Sequence, residues 1–170
     1  MKSVLTGILV VVLSVPVAMA ASRGIRIVSN EGEQVGEYQA SYALLIGVSD
    51  YTAGWPDLQS VPEELVKVST SLADRGFEIT QLHNPTTDEL SQGFKDFINR
   101  HGYKRDNRLL FFFSGHGYTR DNGKKGYLVP SDAPDPRRDE EGFLRKSYPM
   151  TDLLALARNI ESNHALFLFD

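Results

Sequence analysis

Three stretches of this chain are apolar with almost no polar interruption: YALLIGV at 42–48, LLFFF at 109–113 and ALFLF at 165–169. Successive side chains of a strand point to opposite faces, so a strand with one wet face alternates apolar and polar residues. Runs that lack this alternation must be covered on both sides, which is the condition of strands in parallel sheets flanked by helices. The segments between the runs supply those helices. LQSVPEELVKVSTSLADRGF sets Leu65, Val68 and Leu72 on one helical face, with Ser60 and Glu63 at capping-box spacing, Pro62 near the first position and Gly76 as the stop. PTTDELSQGFKDFINR has the same form, with Thr86 and Glu89 as its capping pair and Leu90, Phe94, Phe97 and Ile98 as its buried stripe. TDLLALARNIES predicts a third helix, capped by Thr151, with Leu153, Leu154, Ala157 and Ile160 inward. Phe77 to Leu82 returns as a strand. The order strand, helix, strand, helix, strand, helix, strand implies an α/β fold with a mostly parallel sheet and right-handed crossovers.

Outside this alternation the chain is polar. Residues 21–40 read as a polar leader or an edge hairpin, with Ile25–Val28 as a possible strand. Tyr118 to Ser147 is a long connection rich in Gly, Pro, Asp and basic residues, and Gly126–Pro130 forms a short strand within it. DAPDPRRDEE, 132–141, mixes acids and bases, lacks the D-x-D-x-D-G pattern of a calcium loop, and reads as a solvated loop.

The first twenty residues form a separate unit. Lys2, an apolar stretch centred on Ile8 to Leu13, and Ala18-Met19-Ala20 make a charged n-region, an h-region and a cleavage site. This reads as a signal peptide over residues 1–20, so the protein is expected outside the cytoplasm, periplasmic or extracellular, with no stable membrane anchor after cleavage. The chain contains no cysteine, so export brings it no disulfides. A net charge of −4 and the absence of any basic run argue against nucleic acid as a partner.

His116 lies between two glycines where the run 109–113 ends. Ligands of parallel sheets bind at the carboxyl ends of the strands, so a histidine there can serve as a general base, and it can equally be a loop residue that ends the strand. Ser114 is two residues away and lacks the G-x-S-x-G setting of a serine nucleophile. His83, His101, His116 and His164 are scattered and no H-E-x-x-H is present, so no metal or other cofactor is expected. A calcium requirement is not indicated.

YALLIG at 42–47, the helix from Pro62 leading to RGFEIT, LLFFFSGHGY at 109–118, GYLVPSDA at 126–133 and HALFLFD at 164–170 occur in that order. The set resembles the caspase-like cysteine peptidases of clan CD, peptidase family C14, and within them the bacterial metacaspase-like and paracaspase-like members. The resemblance covers about residues 40–170. It implies a three-layer caspase-like fold that is incomplete at the carboxyl end, since the family's matching strand ends in D-x-C and this sequence stops on Asp170. The nucleophilic cysteine is therefore expected two positions further on, in a longer enzyme, and this chain alone is expected to be inactive.

By the same resemblance His116 matches the catalytic base and the backbone N–H of Gly117 an oxyanion-hole donor. Asp170 matches an acid of the S1 pocket in members that cleave after Arg or Lys. A second pocket acid of those members, thirteen residues before the Phe of the Gly-Phe pair, falls on Glu64, where the family has Asp. Glu64 at a helix start also suits the helix macrodipole. A protein or peptide substrate is the implied partner. The alternative function is a non-catalytic caspase-like interaction domain outside the cytoplasm.

Overall fold

The computed structural model describes residues 25–170. The signal peptide read at 1–20 lies outside the described residues. In chain order the elements are β1 (Ile25–Val28), β2 (Gln34–Tyr38), β3 (Ala40–Gly47), α1 (Val61–Ala73), β4 (Glu78–His83), α2 (Thr87–His101) and β5 (Asn107–Ser114). They continue with β6 (Gly117–Arg120), β7 (Lys125–Leu128), α3 (Glu140–Lys146), β8 (Tyr148–Pro149), α4 (Met150–Ala157) and β9 (His164–Phe169).

β4, β3, β5 and β9 lie side by side in that order, and every pairing between them is parallel. The absence of alternation in the sequence has a direct cause. Leu44, Ile46, Leu109, Phe111 and Phe113 point to one face and pack with Leu90, Phe94 and Phe97 of α2 and Leu153 of α4. Ala43, Leu45, Leu110 and Phe112 point to the other and pack with Val61 and Leu65 of α1. The central strands β3 and β5 thus have core on both faces and must be apolar at odd and even positions alike. Phe111 and Phe167 stack on neighbouring strands with centroids 4.3 Å apart. β9 forms one edge of the sheet, and its Leu166 and Leu168 are about half exposed on the α1 side.

Two smaller sheets flank this core. β1 and β2 form an antiparallel hairpin, and Arg108 at the start of β5 lies over the rings of Tyr38 and Phe77. β6, β7 and β8 form an antiparallel sheet above the carboxyl ends of the main strands, built from the connection that follows His116.

The helices differ from the sequence reading in several places: α3 forms within the connection read at 118–147, and α4 ends at Ala157. Thr86 and Glu89 form a full capping box on α2, but Ser60 at the start of α1 makes no side-chain cap and its backbone is helical. α4 begins after Pro149, so Thr151 lies inside the helix, exposed, and caps nothing. Its inward residues are Leu153, Leu156 and Ala157, with Leu154 exposed, because this set keeps the i, i+3, i+4 spacing of one helical face, and Ile160 packs against the core beyond the helix end.

The segment 132–141 is solvated only in its second half, from Arg137 to Glu141, and its first half packs against the core. Ala133 and Asp135 are buried, Asp132 accepts from the N–H and hydroxyl of Thr87 and pairs with Lys146, and Asp139 caps α3 through the Gly142 N–H. Local hydrogen bonding consumes the charges that made the segment look wet. The Arg137 side chain, and after it the Arg137 backbone N–H, pull the Asp135 carboxyl down from its ordinary 3.8 to about 2. A carboxyl depressed on folding stabilises the native state above its ordinary pKa, and that contribution is lost as the pH falls from there through the folded value. NMR pH titration of Asp135 will show a midpoint near 2, and Arg137→Ala will return it toward 3.8.

The two capping-box spacings make a paired test. Thr86→Ala will cost about 1 kcal/mol in urea unfolding, whereas Ser60→Ala will stay within about 0.5 kcal/mol of the parent.

Candidate active site

The register of the sheet decides what meets at its carboxyl edge. Gly47 pairs with Ser114 and Phe113 with Phe169, so β3, β5 and β9 end level with one another. Backbone hydrogen bonds continue past the ends: Val48 N–H to the Ser114 carbonyl, Asp170 N–H to the Phe113 carbonyl, and Gly115 N–H to the Asp170 carbonyl. The chain segments bearing His116, Asp170 and the loop after β3 are thereby tied together.

His116 is half-buried and lies between two aromatic rings of that loop. The imidazole centroid is 4.8 Å from Tyr51 and 5.0 Å from Trp55. Its Nε2 lies 2.8 Å from the Pro56 carbonyl oxygen. A carbonyl can only accept, so Nε2 carries the proton in the neutral ring and Nδ1 is the basic nitrogen. The His116 backbone N–H donates to the Tyr51 hydroxyl at 2.7 Å, and its carbonyl accepts from Val129 N–H. Trp55 is backed by Tyr118 and Phe143, and its indole nitrogen is buried without a protein partner.

Gly117 opens β6 and is exposed, and a methyl group there would meet nothing closer than 3.8 Å. Glu64, in the first turn of α1, is half-buried and accepts from the Ser114 hydroxyl at 2.8 Å. Ser114 is itself buried, and its hydroxyl points at Glu64 on the α1 side. That commitment removes it as a nucleophile for His116. Asp170 is exposed and linked to β5 through its main chain. The structure thus gathers all four sequence candidates at one edge, with Ser114 and Gly115 linking Glu64 to Asp170.

Sequence reasoning missed the residues that hold the edge together. Asn84, at φ +48 after β4, accepts through one oxygen from Ser49 N–H, Ser49 hydroxyl and Asp50 N–H, and donates to Asp50. The Asp57 carboxylate accepts from Tyr51 N–H, and the Ser131 carbonyl from Thr52. The signal available was the composition of the loop, DYTAGWP, which holds the chain's one tryptophan directly after a buried strand. Among the described residues no group of three or more His, Cys, Asp or Glu is placed to hold a metal ion, and no helix is long and apolar enough to cross a membrane.

A parallel α/β sheet with its polar constellation at the carboxyl edge of the central strands defines the architecture class. The sequence pattern of the caspase domain of peptidase family C14 matches residues 40–170, and the chain belongs to that family. No curated protein matches it. Among solved structures, protein GSU0716 from Geobacter sulfurreducens is similar in fold, with a TM-score of 0.57 at 18% identity over 77% of this chain. The chain spans 50% of that protein's length.

The Pro56 contact gives a spectroscopic prediction. In ¹⁵N NMR the neutral form of the His116 ring will show Nε2 protonated and Nδ1 bare; the reverse assignment contradicts the geometry.

Proposed function

We propose that this chain is the base-bearing part of an exported cysteine endopeptidase that cleaves after Arg or Lys. The observation that carries the reading is His116, held by the Pro56 carbonyl at the edge where β5 and β9 end. The 170 residues contain no thiol, so on this reading the nucleophile is carried by residues that follow β9. His116 Nδ1 takes the thiol proton, the thiolate attacks the scissile carbonyl carbon, and the protonated ring then gives its proton to the leaving amine. Water hydrolyses the resulting thioester with the same base. The Gly117 N–H is assigned to the oxyanion. Glu64 and Asp170 are assigned to the pocket for the residue before the cleaved bond, where two carboxylates favour guanidinium or ammonium and repel an acidic side chain. Export is supported by the n-region, h-region and A-x-A site of residues 1–20.

The second reading is a non-catalytic caspase-like interaction domain outside the cytoplasm. The protein extended beyond Asp170 separates the two. Peptides with Arg or Lys before the scissile bond will be cleaved and those with Asp will not. His116→Ala will lower kcat/KM by roughly 100- to 10,000-fold. Cleavage only after Asp would sink the pocket assignment, and full activity in His116→Ala would sink the base.

A further inference from the structure

We infer that Tyr51 is a positioning residue for His116, fixing both the main chain of the turn 114–117 and one face of the imidazole. In its kinetic consequence the inference rests on the peptidase reading; in its structural consequence it does not.

Tyr51 is anchored at both ends. Its ring is 8% exposed within the larger core cluster, and its backbone N–H donates to Asp57 at 2.9 Å. The hydroxyl therefore occupies a fixed point, and the half-buried His116 N–H donates to it at 2.7 Å. With the carbonyl of His116 taken by Val129 and Nε2 by Pro56, the residue is held by three hydrogen bonds. Two of these come from one loop, through Tyr51 on the main-chain side and Pro56 on the ring side. The direction left to Nδ1 follows from that pair of struts.

Gly115 provides an independent sign of the fit. Its φ is not in the left-handed region, so backbone conformation does not require glycine there. A methyl group at Gly115 would lie 3.0 Å from the Tyr51 hydroxyl and 3.1 Å from the Phe113 ring. The hydroxyl fills the space that glycine leaves open. Burial pushes the Tyr51 hydroxyl up to about 12, opposed only by the His116 N–H, so it meets that amide as a neutral phenol throughout the physiological range. Proton transfer depends on direction, and displacement of a reacting group by about 1 Å can cost on the order of 100-fold in rate.

Tyr51→Phe keeps the ring and deletes the oxygen. In this chain, amide hydrogen exchange at His116 will accelerate roughly 2- to 13-fold, the range expected for one lost hydrogen bond. Exchange at core amides such as Phe111 will not change, and the bare-Nδ1 fraction of the neutral imidazole will fall. Gly115→Ala, which crowds the hydroxyl from the other side, will act in the same direction. Unchanged exchange and ring shifts at His116 would overturn the inference, as would a uniform acceleration across all amides, which marks general destabilisation. In the extended, thiol-bearing protein Tyr51→Phe will lower kcat with little change in KM. An altered His116 spectrum in Tyr51→Phe, together with peptidase activity that ignores His116→Ala, would sink the peptidase reading and support the positioning role.

Discussion

The level ending of β3, β5 and β9 is the constraint on which the rest depends. Each of these strands pairs residue for residue with its neighbour, from Ala40 opposite Asn107 to Gly47 opposite Ser114, and from Arg108 opposite His164 to Phe113 opposite Phe169. A shift of one residue would exchange the two faces of a strand. With both faces apolar, polarity alone would not forbid that slip. Shape does: on β5 the α2 face carries Leu109, Phe111 and Phe113, while the α1 face carries Leu110 and Phe112, with the small Ala43 opposite Leu110. Close packing of unlike volumes therefore fixes the register, and the register places Gly115 within hydrogen-bond reach of Asp170, and Ser114 within reach of Val48.

Above that edge the polar groups are held by loops, and the loops are held by one another. Asn84 clamps the start of the loop after β3, Asp57 closes its middle, and Ser131 joins it to the segment that precedes α3. The buried Ser131 hydroxyl in turn donates to the Pro85 carbonyl beside Asn84. An unpaired buried polar group costs about 1–3 kcal/mol, so each of these contacts makes its neighbour's placement costly to change. The loop that carries Tyr51, Trp55 and Pro56 is irregular in conformation without being free to wander.

Much of this was legible in the sequence because it depends on periodicity. The unalternating runs around Leu44 and Phe111 specify a two-sided sheet, the similar run at β9 is left largely exposed at the sheet edge, and the stripe Leu90, Phe94, Phe97, Ile98 specifies the face of α2. His116 could be singled out by its place between two glycines at the end of an apolar run, but its role, and Glu64 altogether, came only by resemblance, since neither spacing nor composition says what a lone histidine or a helix-start acid touches. The failures share a cause. Ser60 has the capping spacing of Thr86 but follows a backbone already in the helical region, so its hydroxyl does not reach the amides. The 132–141 segment has the composition of a solvated loop and its second half is one, but contacts that no local pattern encodes, those of Asp132 with Thr87 and Lys146, help hold its first half against the core. Tyr51 meets His116 across 65 residues of chain, a distance that no local pattern encodes.

The depth of the proposed pocket is decided by two small features of α1 and β3. A methyl group at Gly47 would come within 2.1 Å of Leu65 and 2.9 Å of Val61, so α1 sits closer to β3 than any side chain at that position allows. Close approach lowers the backbone of Glu64 toward the sheet, and its extra methylene relative to aspartate then brings the carboxylate to the buried Ser114 hydroxyl. The carboxylate thereby accepts a hydrogen bond from a neutral donor. On the proposed reading this favours a long cationic side chain over a short one: the charge lies beside the end of β5, and a guanidinium, with its planar fork of donors, can engage the carboxylate while Ser114 holds it from behind.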